Sequence, residues 1–220
     1  HYITHKTPFV VLKYAMTLDG KIAAHTGDSR WVTGEAARRH VHETRNRLSG
    51  IMVGVGTVLA DDPLLTCRID GGRNPVRIVC DSHARTPLGS QLVQTANEIP
   101  TYVAVTARSG RTAALEEKGV RILVCGETDG HVDLTDLMQQ LGSAGINGIL
   151  LEGGSSLAFS ALKAGIVHRV QAYIAPKLIG GADAKSPVGG EGLAKMADAL
   201  ALKNVRSTPL GEDFLIEGRL

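Results

Sequence analysis

The sequence predicts a single α/β domain built on a mixed, mostly parallel sheet, and two patterns carry this prediction. Strand-like apolar runs alternate with helix-like segments along the 220 residues, which is typical of a sheet covered by helices. The chain then ends in two strand-like runs joined at Gly211, which favours an antiparallel pair. Because no repeat or low-complexity linker interrupts this order, we expect one domain over residues 1–220, with helices on both faces of the sheet.

The first half of the chain supplies four predicted strands and one long helix. The strands are expected at about 9–15, 51–54, 75–82 and 101–105, since each is a short β-rich apolar run. A long loop containing Trp31 follows the first strand, and loops of that length inside a domain are often functional. Thr33 is placed to cap a helix over about 35–48.

The second half continues the alternation of strands and helices. Apolar periodicity predicts helices at 111–118 and 134–141 and another that begins within 152–160 and ends near 164. Glycines follow the first two of these helices, as is common at helix ends. Strands are expected at 121–125, 148–151, 167–175, 202–209 and 214–220, with a glycine-rich loop at 180–192.

Composition excludes several classes of protein. The 24 basic and 22 acidic residues are spread along the chain and give a formal charge of +2, so no basic tract indicates nucleic-acid binding. No run approaches the roughly 20 apolar residues that span a bilayer. The odd, widely spaced cysteines Cys67, Cys80 and Cys125 fit neither a disulfide framework nor a metal site, which favours the reducing cytoplasm.

The stretch from Ile51 to Arg68 has the order of residues expected at a ligand site. A buried strand runs into Gly54 and Gly56, which let the backbone turn or approach a ligand closely. Thr57 can cap a short helix that Pro63 ends. Such strand ends are where α/β proteins commonly bind cofactors or substrates, although an ordinary strand-to-helix turn is an equally open alternative.

A second glycine turn, from Gly153 to Ser156, is the stronger phosphate candidate. It would direct backbone N–H groups and a helix N-terminus at one point, an arrangement that favours phosphate or pyrophosphate. Ser155 and Ser156 add hydroxyl donors. A tight packing turn is the structural alternative.

A Rossmann-type dehydrogenase is a weaker alternative for the first glycine turn. Gly54-x-Gly56 is an incomplete dinucleotide fingerprint because Leu59 stands where the third glycine belongs, while Asp81 follows the next strand like a ribose-binding acid. That reading predicts a preference for NADH and a parallel sheet.

Four carboxylates, Asp19, Asp61, Asp62 and Glu152, lie beside glycine-bearing turns at strand ends. The carboxyl ends of parallel strands meet at one edge of a sheet, so these groups could line a shared cleft. For Asp61 and Glu152 we favour a ligand role, and for Asp62, which precedes Pro63, a turn-forming role. No Ser–His–Asp order or activated cysteine accompanies them, which argues against covalent catalysis.

Nearly the whole chain resembles the reductase domain of the bacterial riboflavin-biosynthesis deaminase/reductase and its stand-alone relatives. The resemblance rests on motifs in the family's order, namely Pro8-Phe-Val-Val-Leu-Lys-Tyr-Ala-Met-Thr-Leu-Asp-Gly-Lys-Ile-Ala23, Gly27-Asp-Ser-Arg-Trp31, Gly56-Thr-Val-Leu-Ala-Asp-Asp-Pro-Leu-Leu-Thr66, Leu151-Glu-Gly-Gly154 and Tyr173-Ile-Ala-Pro-Lys-Leu-Ile-Gly-Gly181. It implies a dihydrofolate-reductase-like fold and NADPH-dependent reduction of 5-amino-6-(5-phosphoribosylamino)uracil to the ribitylamino compound. The partners it implies are this small phosphorylated pyrimidine and a second copy of the chain in a homodimer.

The resemblance also implies roles for residues at matching positions. The cofactor would be met by Ala15, Trp31, Thr57, Asp61, Ser82 and the run Gly154, Ser155, Ser156, Leu157, Ala158, Phe159 and Ser160. The substrate would be met by Ser29, Arg45, Leu65, Arg68 and Glu152. Asp61 and Glu152 would carry catalytic roles, and no metal is expected. His83 and Arg85 are candidate donors to the NADPH 2′-phosphate, although a solvated turn explains them equally well.

The family's bifunctional members begin with a zinc deaminase domain, whose H-x-E and P-C-x-x-C signature is missing from this sequence. The chain is therefore either the C-terminal piece of a bifunctional protein or a separate reductase. Because it begins at His1, we favour the former and expect residues 1–7 to be a tail or linker from the deaminase domain. A non-catalytic domain that binds the nucleotide only as a sensor or scaffold is the remaining alternative, and it predicts NADPH binding without turnover.

Overall fold

The computed structural model describes residues 1–220 and contains strands and helices in the predicted alternation. The strands are β1 Phe9–Thr17, β2 Gly50–Gly54, β3 Val76–Cys80, β4 Thr101–Val105, β5 Arg121–Val124, β6 Glu127–Thr128, β7 His131–Val132, β8 Gly148–Glu152, β9 Arg169–Ala175, β10 Lys203–Leu210 and β11 Asp213–Arg219. The α-helices are α1 Tyr2–His5, α2 Glu35–Arg47, α3 Val55–Asp61, α4 Gln91–Gln94, α5 Gly110–Glu117, α6 Leu134–Ser143 and α7 Ser155–Lys163. A 3-10 turn spans Met196–Asp198.

The chain forms two compact units, one from residues 1–9 and 43–151 and the other from residues 10–42 and 152–220. In the first unit the strands run β8-β2-β3-β4-β5, and neighbouring strands are parallel. In the second the order is β10-β11-β9-β1, in which β1 pairs parallel with β9 and the terminal hairpin is antiparallel. The predicted mixed, mostly parallel sheet flanked by helices is therefore confirmed.

The core of the first unit forms because its short strands are apolar at nearly every position. Ile51, Val79 and Val103 on three parallel strands are at most 1% exposed and share a cluster with Leu115 of α5. This pattern is expected of parallel strands that are covered on both faces. Helix α6 adds its predicted stripe of Leu134, Leu137, Met138 and Leu141, all of which are buried.

Arg77 is the largest charged exception in this core, with an exposure of 0%. Its guanidinium donates to the hydroxyls of Thr101 at 2.9 Å and Thr95 at 2.8 Å. It also donates to the carbonyls of Leu92, Thr95 and Ile99 at 2.9 to 3.1 Å. Burial lowers the pKa of Arg77 to about 10, which leaves it a cation at neutral pH. One side chain thus holds the segment between α4 and β4.

Two long loops of the second unit are joined through the turn after β1. The Asp19 carboxylate accepts the Thr17 hydroxyl at 2.6 Å and the Gly180 N–H at 2.7 Å. These hydrogen bonds, the Thr17 bond first, hold the pKa of Asp19 below its usual range. Lys21 reaches the Ala184 carbonyl at 3.1 Å. Asp19 therefore fastens the loop after β1 to the glycine-rich loop 180–192, a role the sequence did not indicate.

Some local expectations differ from the structure. Residues 2–5 of the expected tail form α1, and Tyr2 donates its hydroxyl to the Gly142 carbonyl at 3.0 Å. Thr57 is not the cap of α3, because Gly54 occupies the N-cap and Thr57 lies inside the helix. The short helix α4 and the ribbon of β6 and β7 were not predicted.

The three thiols are expected to react at different rates. All are free, and burial raises the pKa of both Cys80 and Cys125 to about 12. Cys67 and Cys80 are half-buried and Cys125 is buried. Since the thiolate is the nucleophile, iodoacetamide at mildly alkaline pH should modify Cys67 well before the two thiols whose pKa is raised. Peptide mass spectrometry measures the order, with denatured protein as the control in which all three react. Equal rates in the native protein would contradict the raised pKa of Cys80 and Cys125.

None of the helices combines the length and the apolar character that a bilayer crossing requires.

Candidate active site

A chain of polar side chains runs through the second unit from the end of β8 to α2. The Glu152 carboxylate, in a residue that is 9% exposed, lies 3.8 Å from the Lys13 ammonium. Lys13 in turn lies 5.7 Å from the centre of the Tyr173 ring, and the Tyr173 hydroxyl is 2.8 Å from Nδ1 of His40. Tyr173 is 0% exposed, so the phenol–imidazole pair supports Lys13 from within the core, whereas the partly exposed Glu152–Lys13 pair can contact a ligand.

The strand period explains why these groups meet. Lys13 and Ala15 lie on one face of β1 because side chains alternate along a strand, and Ala15 pairs in register with Tyr173 of β9. Ala37 and Val41 of α2 pack with Tyr173 and Leu215 in one cluster, against which Ala15 is partly buried. The predicted cofactor residue Ala15 thus lies beside Lys13 and Tyr173.

The second glycine turn has the geometry of an anion site. Gly153 and Gly154 adopt positive φ values of 69° and 79°, which L side chains rarely adopt. Gly154 is the N-cap of α7, and no side chain caps the first turn. The first N–H groups of this helix can therefore donate to a phosphate, which the helix dipole also favours. These features fit the diphosphate of a dinucleotide.

The side chains of the predicted cofactor-binding run 154–160 differ in their exposure to solvent. Ser156 and Ser160 are exposed, whereas Ala158 is 4% exposed and belongs to the core. A contact from Ala158 to the cofactor would have to come through its backbone. Leu157 and Phe159 are half-buried.

Gly189 and Gly190 of the loop 180–192 pack against the start of α7. The Gly189 N–H donates to the Ser155 carbonyl at 3.0 Å. At Gly190, where φ is 73°, an added Cβ would collide with the ring of Phe159. Lys163 also binds Glu191 at 3.1 Å. Close packing against α7 is therefore the reason for the two glycines.

Trp31 and Ser29 lie in the long loop after β1. Trp31 is 61% exposed, and the Arg38 guanidinium carbon lies 4.7 Å from its ring centre. The Trp31 carbonyl accepts the Lys177 ammonium at 2.9 Å. Ser29 is exposed. Lys177 therefore fixes the backbone of Trp31, and Arg38 covers one face of its indole. The rest of the indole is free to contact a ligand ring.

In the first unit, Thr57 and Asp61 lie one helical turn apart on α3 and therefore share a face. Thr57 is half-buried and Asp61 is exposed. Asp62 has the turn role predicted for it, because it has a left-handed φ of 39° and accepts the Gln91 N–H at 2.8 Å. Gly54, with φ of −82°, has no conformation that requires glycine.

Arg45 lies beside the segment that carries two other predicted substrate residues, Leu65 and Arg68. Its Nη1 donates to the Thr66 carbonyl at 2.9 Å, between Leu65 and Arg68. Leu65 is 6% exposed and packs in the core, so it can offer only its backbone to a substrate, whereas Arg68 is exposed. The structure thus brings Arg45 to the 65–68 segment and leaves the Arg68 side chain at the surface.

Ser82 follows β3 and is fixed by neighbouring loops. Its hydroxyl accepts the Val132 N–H at 3.1 Å, and its carbonyl accepts the Thr106 hydroxyl at 3.0 Å. Because the hydroxyl oxygen acts as an acceptor, its proton can be donated to a ligand.

Lys13, His40 and Tyr173 were not among the residues predicted for the site. Lys13 gave a usable signal, since it is the one charged side chain inside the apolar strand 9–15. His40 and Tyr173 gave none, because their pairing depends on how α2 packs on β9.

Residues 8–216 match the family described as the RibD C-terminal domain. The chain is 53% identical over 218 residues to the riboflavin biosynthesis protein RibD of Actinobacillus pleuropneumoniae, covering 99% of this chain and 58% of that protein. It is 46% identical to the 2,5-diamino-6-ribosylamino-4(3H)-pyrimidinone 5′-phosphate reductase of Methanothermobacter thermautotrophicus, covering 96% of this chain and 97% of that protein.

Solved structures show the same architecture. A Thermotoga maritima deaminase/5-amino-6-(5-phosphoribosylamino)uracil reductase is 33% identical with a TM-score of 0.79, and the match covers 99% of this chain and 58% of that one. Dihydrofolate reductase from Enterococcus faecalis is 11% identical with a TM-score of 0.51 over 96% of each chain, a likeness of fold alone. The dihydrofolate-reductase-like prediction is confirmed, and the Rossmann alternative is wrong. The chain belongs to the RibD C-terminal domain family.

Proposed function

We propose that the chain is an NADPH-dependent oxidoreductase of riboflavin biosynthesis that reduces 5-amino-6-(5-phosphoribosylamino)uracil to 5-amino-6-(5-phosphoribitylamino)uracil. The observation that carries the proposal is the Glu152–Lys13 pair beside the Tyr173–His40 pair. The names of the Actinobacillus, Methanothermobacter and Thermotoga relatives support the substrate class. The Actinobacillus protein is longer than this chain, which spans 58% of it, and fusion to a zinc deaminase remains a prediction.

The cofactor contacts would come from Ala15, Trp31, Thr57, Asp61, Ser82 and residues 154–160. The diphosphate would bind at the N-terminus of α7, where the positive φ of Gly154 and the absence of a side-chain cap leave N–H groups to donate. When bound, the nicotinamide supplies the hydride that reduces C1 of the ring-opened ribosylimine. The protein has to hold the reacting atoms within about 3 to 3.5 Å of each other and to exclude water.

Glu152 would bind the ribose hydroxyls as the chain opens, because a carboxylate accepts the hydroxyl protons of a sugar. Lys13, held by Glu152 and the Tyr173 ring, would orient the same sugar. As hydride adds to C1, the C=N π electrons go to nitrogen, which takes a proton. Asp61 would relay that proton or polarise the imine.

Arg45 and Arg68 would bind the substrate phosphate, and one variant tests the contribution of Arg45. Arg45→Ala should raise the KM for the pyrimidine by at least about tenfold, because hydrogen bonds to charged groups contribute about 1.5–3 kcal/mol each. The dissociation constant for NADPH should stay within twofold of the native value.

Steady-state kinetics and NADPH titration by fluorescence measure the two effects of Arg45→Ala. Arg47→Ala, on the same helix with its Nη2 bound to Thr44 at 3.2 Å, serves as the matched control. Equal losses for pyrimidine and cofactor would remove Arg45 from phosphate recognition.

The Methanothermobacter relative supports a second candidate substrate, since it matches over 97% of its length and is named for the 2,5-diamino pyrimidinone. NADPH oxidation should be followed with both pyrimidines, and with NADH in parallel. Turnover with the uracil compound and NADPH supports the main proposal, and exclusive turnover of the pyrimidinone supports the second. Cofactor binding without turnover of either pyrimidine would favour the sensor or scaffold alternative.

We also propose a cytoplasmic homodimer. The free thiols fit a reducing compartment. Strand β10 is an exposed edge, with Val205 54% exposed and Phe214 of its partner strand 49% exposed, and such edges favour pairing with another chain. Light scattering should give twice the chain mass, and a monomer at micromolar concentration would contradict the dimer.

A further inference from the structure

The turn after β3, residues 81–86, is rigid and built by a buried acid. Asp81 is 1% exposed, and its Oδ2 accepts both the N–H and the hydroxyl of Thr86, at 2.6 and 2.7 Å. Ala84, at a left-handed φ of 52°, donates its N–H to the Asp81 carbonyl at 3.1 Å. The acid that resembled a ribose-binding group thus supports the turn and is withdrawn from solvent.

This turn carries one guanidinium and is braced by another. Arg85 is exposed, and its Nε lies 4.0 Å from Oδ1 of the buried Asp81. Arg111 of α5 donates to the carbonyls on either side of Arg85, to Ala84 at 2.8 Å and to Thr86 at 3.2 Å. Two cations are therefore gathered at one turn, and His83 lies exposed on the same turn.

The carboxyl ends of the parallel strands β3 and β4 place this turn next to the segment 106–111. The Thr106 N–H and hydroxyl both donate to the Ser82 carbonyl, at 3.2 and 3.0 Å. The nearby Arg108 is neutralised by Glu116 at 2.8 and 2.9 Å, and Asp81 is the only acid on the turn itself. At the turn itself, Arg85 and Arg111 are therefore two cations beside the one acid Asp81.

We propose that Arg85, held by Asp81 and Arg111, binds the 2′-phosphate of the dinucleotide and so selects NADPH over NADH. This inference rests on the proposed function, in which the neighbouring Ser82 contacts the cofactor. An arginine accommodates the 2′-phosphate where an accessible acid would instead bind a free 2′-hydroxyl. The planar guanidinium matches phosphate oxygens through paired hydrogen bonds. The substrate phosphate is assigned separately, to Arg45 and Arg68.

The test compares two cofactors and two nucleotide fragments. Arg85→Ala should lower kcat/KM for NADPH by at least about tenfold and leave that for NADH within twofold, because only NADPH carries the extra dianion. Calorimetry should show the same loss for 2′,5′-ADP and none for 5′-AMP. Arg85→Lys should restore part of the affinity. Arg121→Ala, at the start of β5 with its guanidinium 5.5 Å from the Tyr102 ring, is the matched control.

Equal losses for both cofactors, or unchanged binding of 2′,5′-ADP, would overturn the inference. A loss of the same size in Arg121→Ala would also overturn it, because it would indicate general charge attraction. Wild-type protein that binds 2′,5′-ADP through Arg85 but reduces neither pyrimidine would instead contradict the proposed reaction. The fragment titration therefore separates the two failures.

Discussion

Glu152→Gln is expected to lower kcat about 100-fold, because a displacement of the reacting sugar by about 1 Å can cost that much in rate. The amide keeps the shape of the side chain but loses the charge that faces Lys13 at 3.8 Å. Both side chains are largely buried, at 12% and 16% exposure, so water replaces the lost countercharge poorly. Without this countercharge the Lys13 ammonium would be displaced, and it would no longer orient the sugar correctly.

Steady-state NADPH oxidation measures this effect, with thermal melting to confirm that the variant folds. Glu191→Gln is the matched control, since it breaks another Glu–Lys pair of the same unit, one that is exposed and lies 3.1 Å from Lys163. The control should keep its activity within twofold because exposed pairs contribute little. A Glu152→Gln enzyme with native kcat would remove Glu152 from the reaction.

Arg77→Met is expected to lower the free energy of unfolding by about 3–5 kcal/mol, because it removes several buried hydrogen bonds from a charged donor, which contribute about 1.5–3 kcal/mol each. The methionine fills much of the volume but leaves the carbonyls of Leu92, Thr95 and Ile99 without their shared donor. For a chain of this size the melting temperature should fall by about 6–20 °C.

Chemical denaturation followed by circular dichroism measures the stability change. Arg121→Met provides the comparison, because Arg121 is exposed and makes only one hydrogen bond, to the Tyr102 hydroxyl at 3.0 Å. Its loss should cost no more than about 1 kcal/mol. A change of similar size in the two variants would show that the Arg77 network adds nothing beyond a surface contact.

The sequence was sufficient for the order of elements because each strand and helix carries its own period. The strand before Gly54 is apolar at every position, and α6 repeats Leu134, Leu137 and Leu141 at helical spacing. The terminal hairpin was recognisable from two β-rich runs joined at Gly211, and it forms as β10 and β11. These signals are local, so no knowledge of packing was needed.

Tertiary contacts decided what the sequence could not. Arg77 looked like one more charged residue at a strand start, yet its burial depends on acceptors 13 to 24 positions away in the chain. Asp81 was read as a possible ribose ligand and is instead the support of a turn. Asp19 was grouped with the ligand carboxylates, but its carboxylate already accepts hydrogen bonds from the backbone N–H groups of Ile179 and Gly180. The partner of each such group lies far along the sequence.

Isotope transfer is the most direct test of hydride delivery from NADPH to the ribose C1. The enzyme should be given 5-amino-6-(5-phosphoribosylamino)uracil with NADPH deuterated at the transferable position of C4, and the product examined by NMR and mass spectrometry. One deuterium is expected at C1 of the ribityl chain. Product that carries no deuterium, or carries it at another carbon, would contradict the proposed reaction.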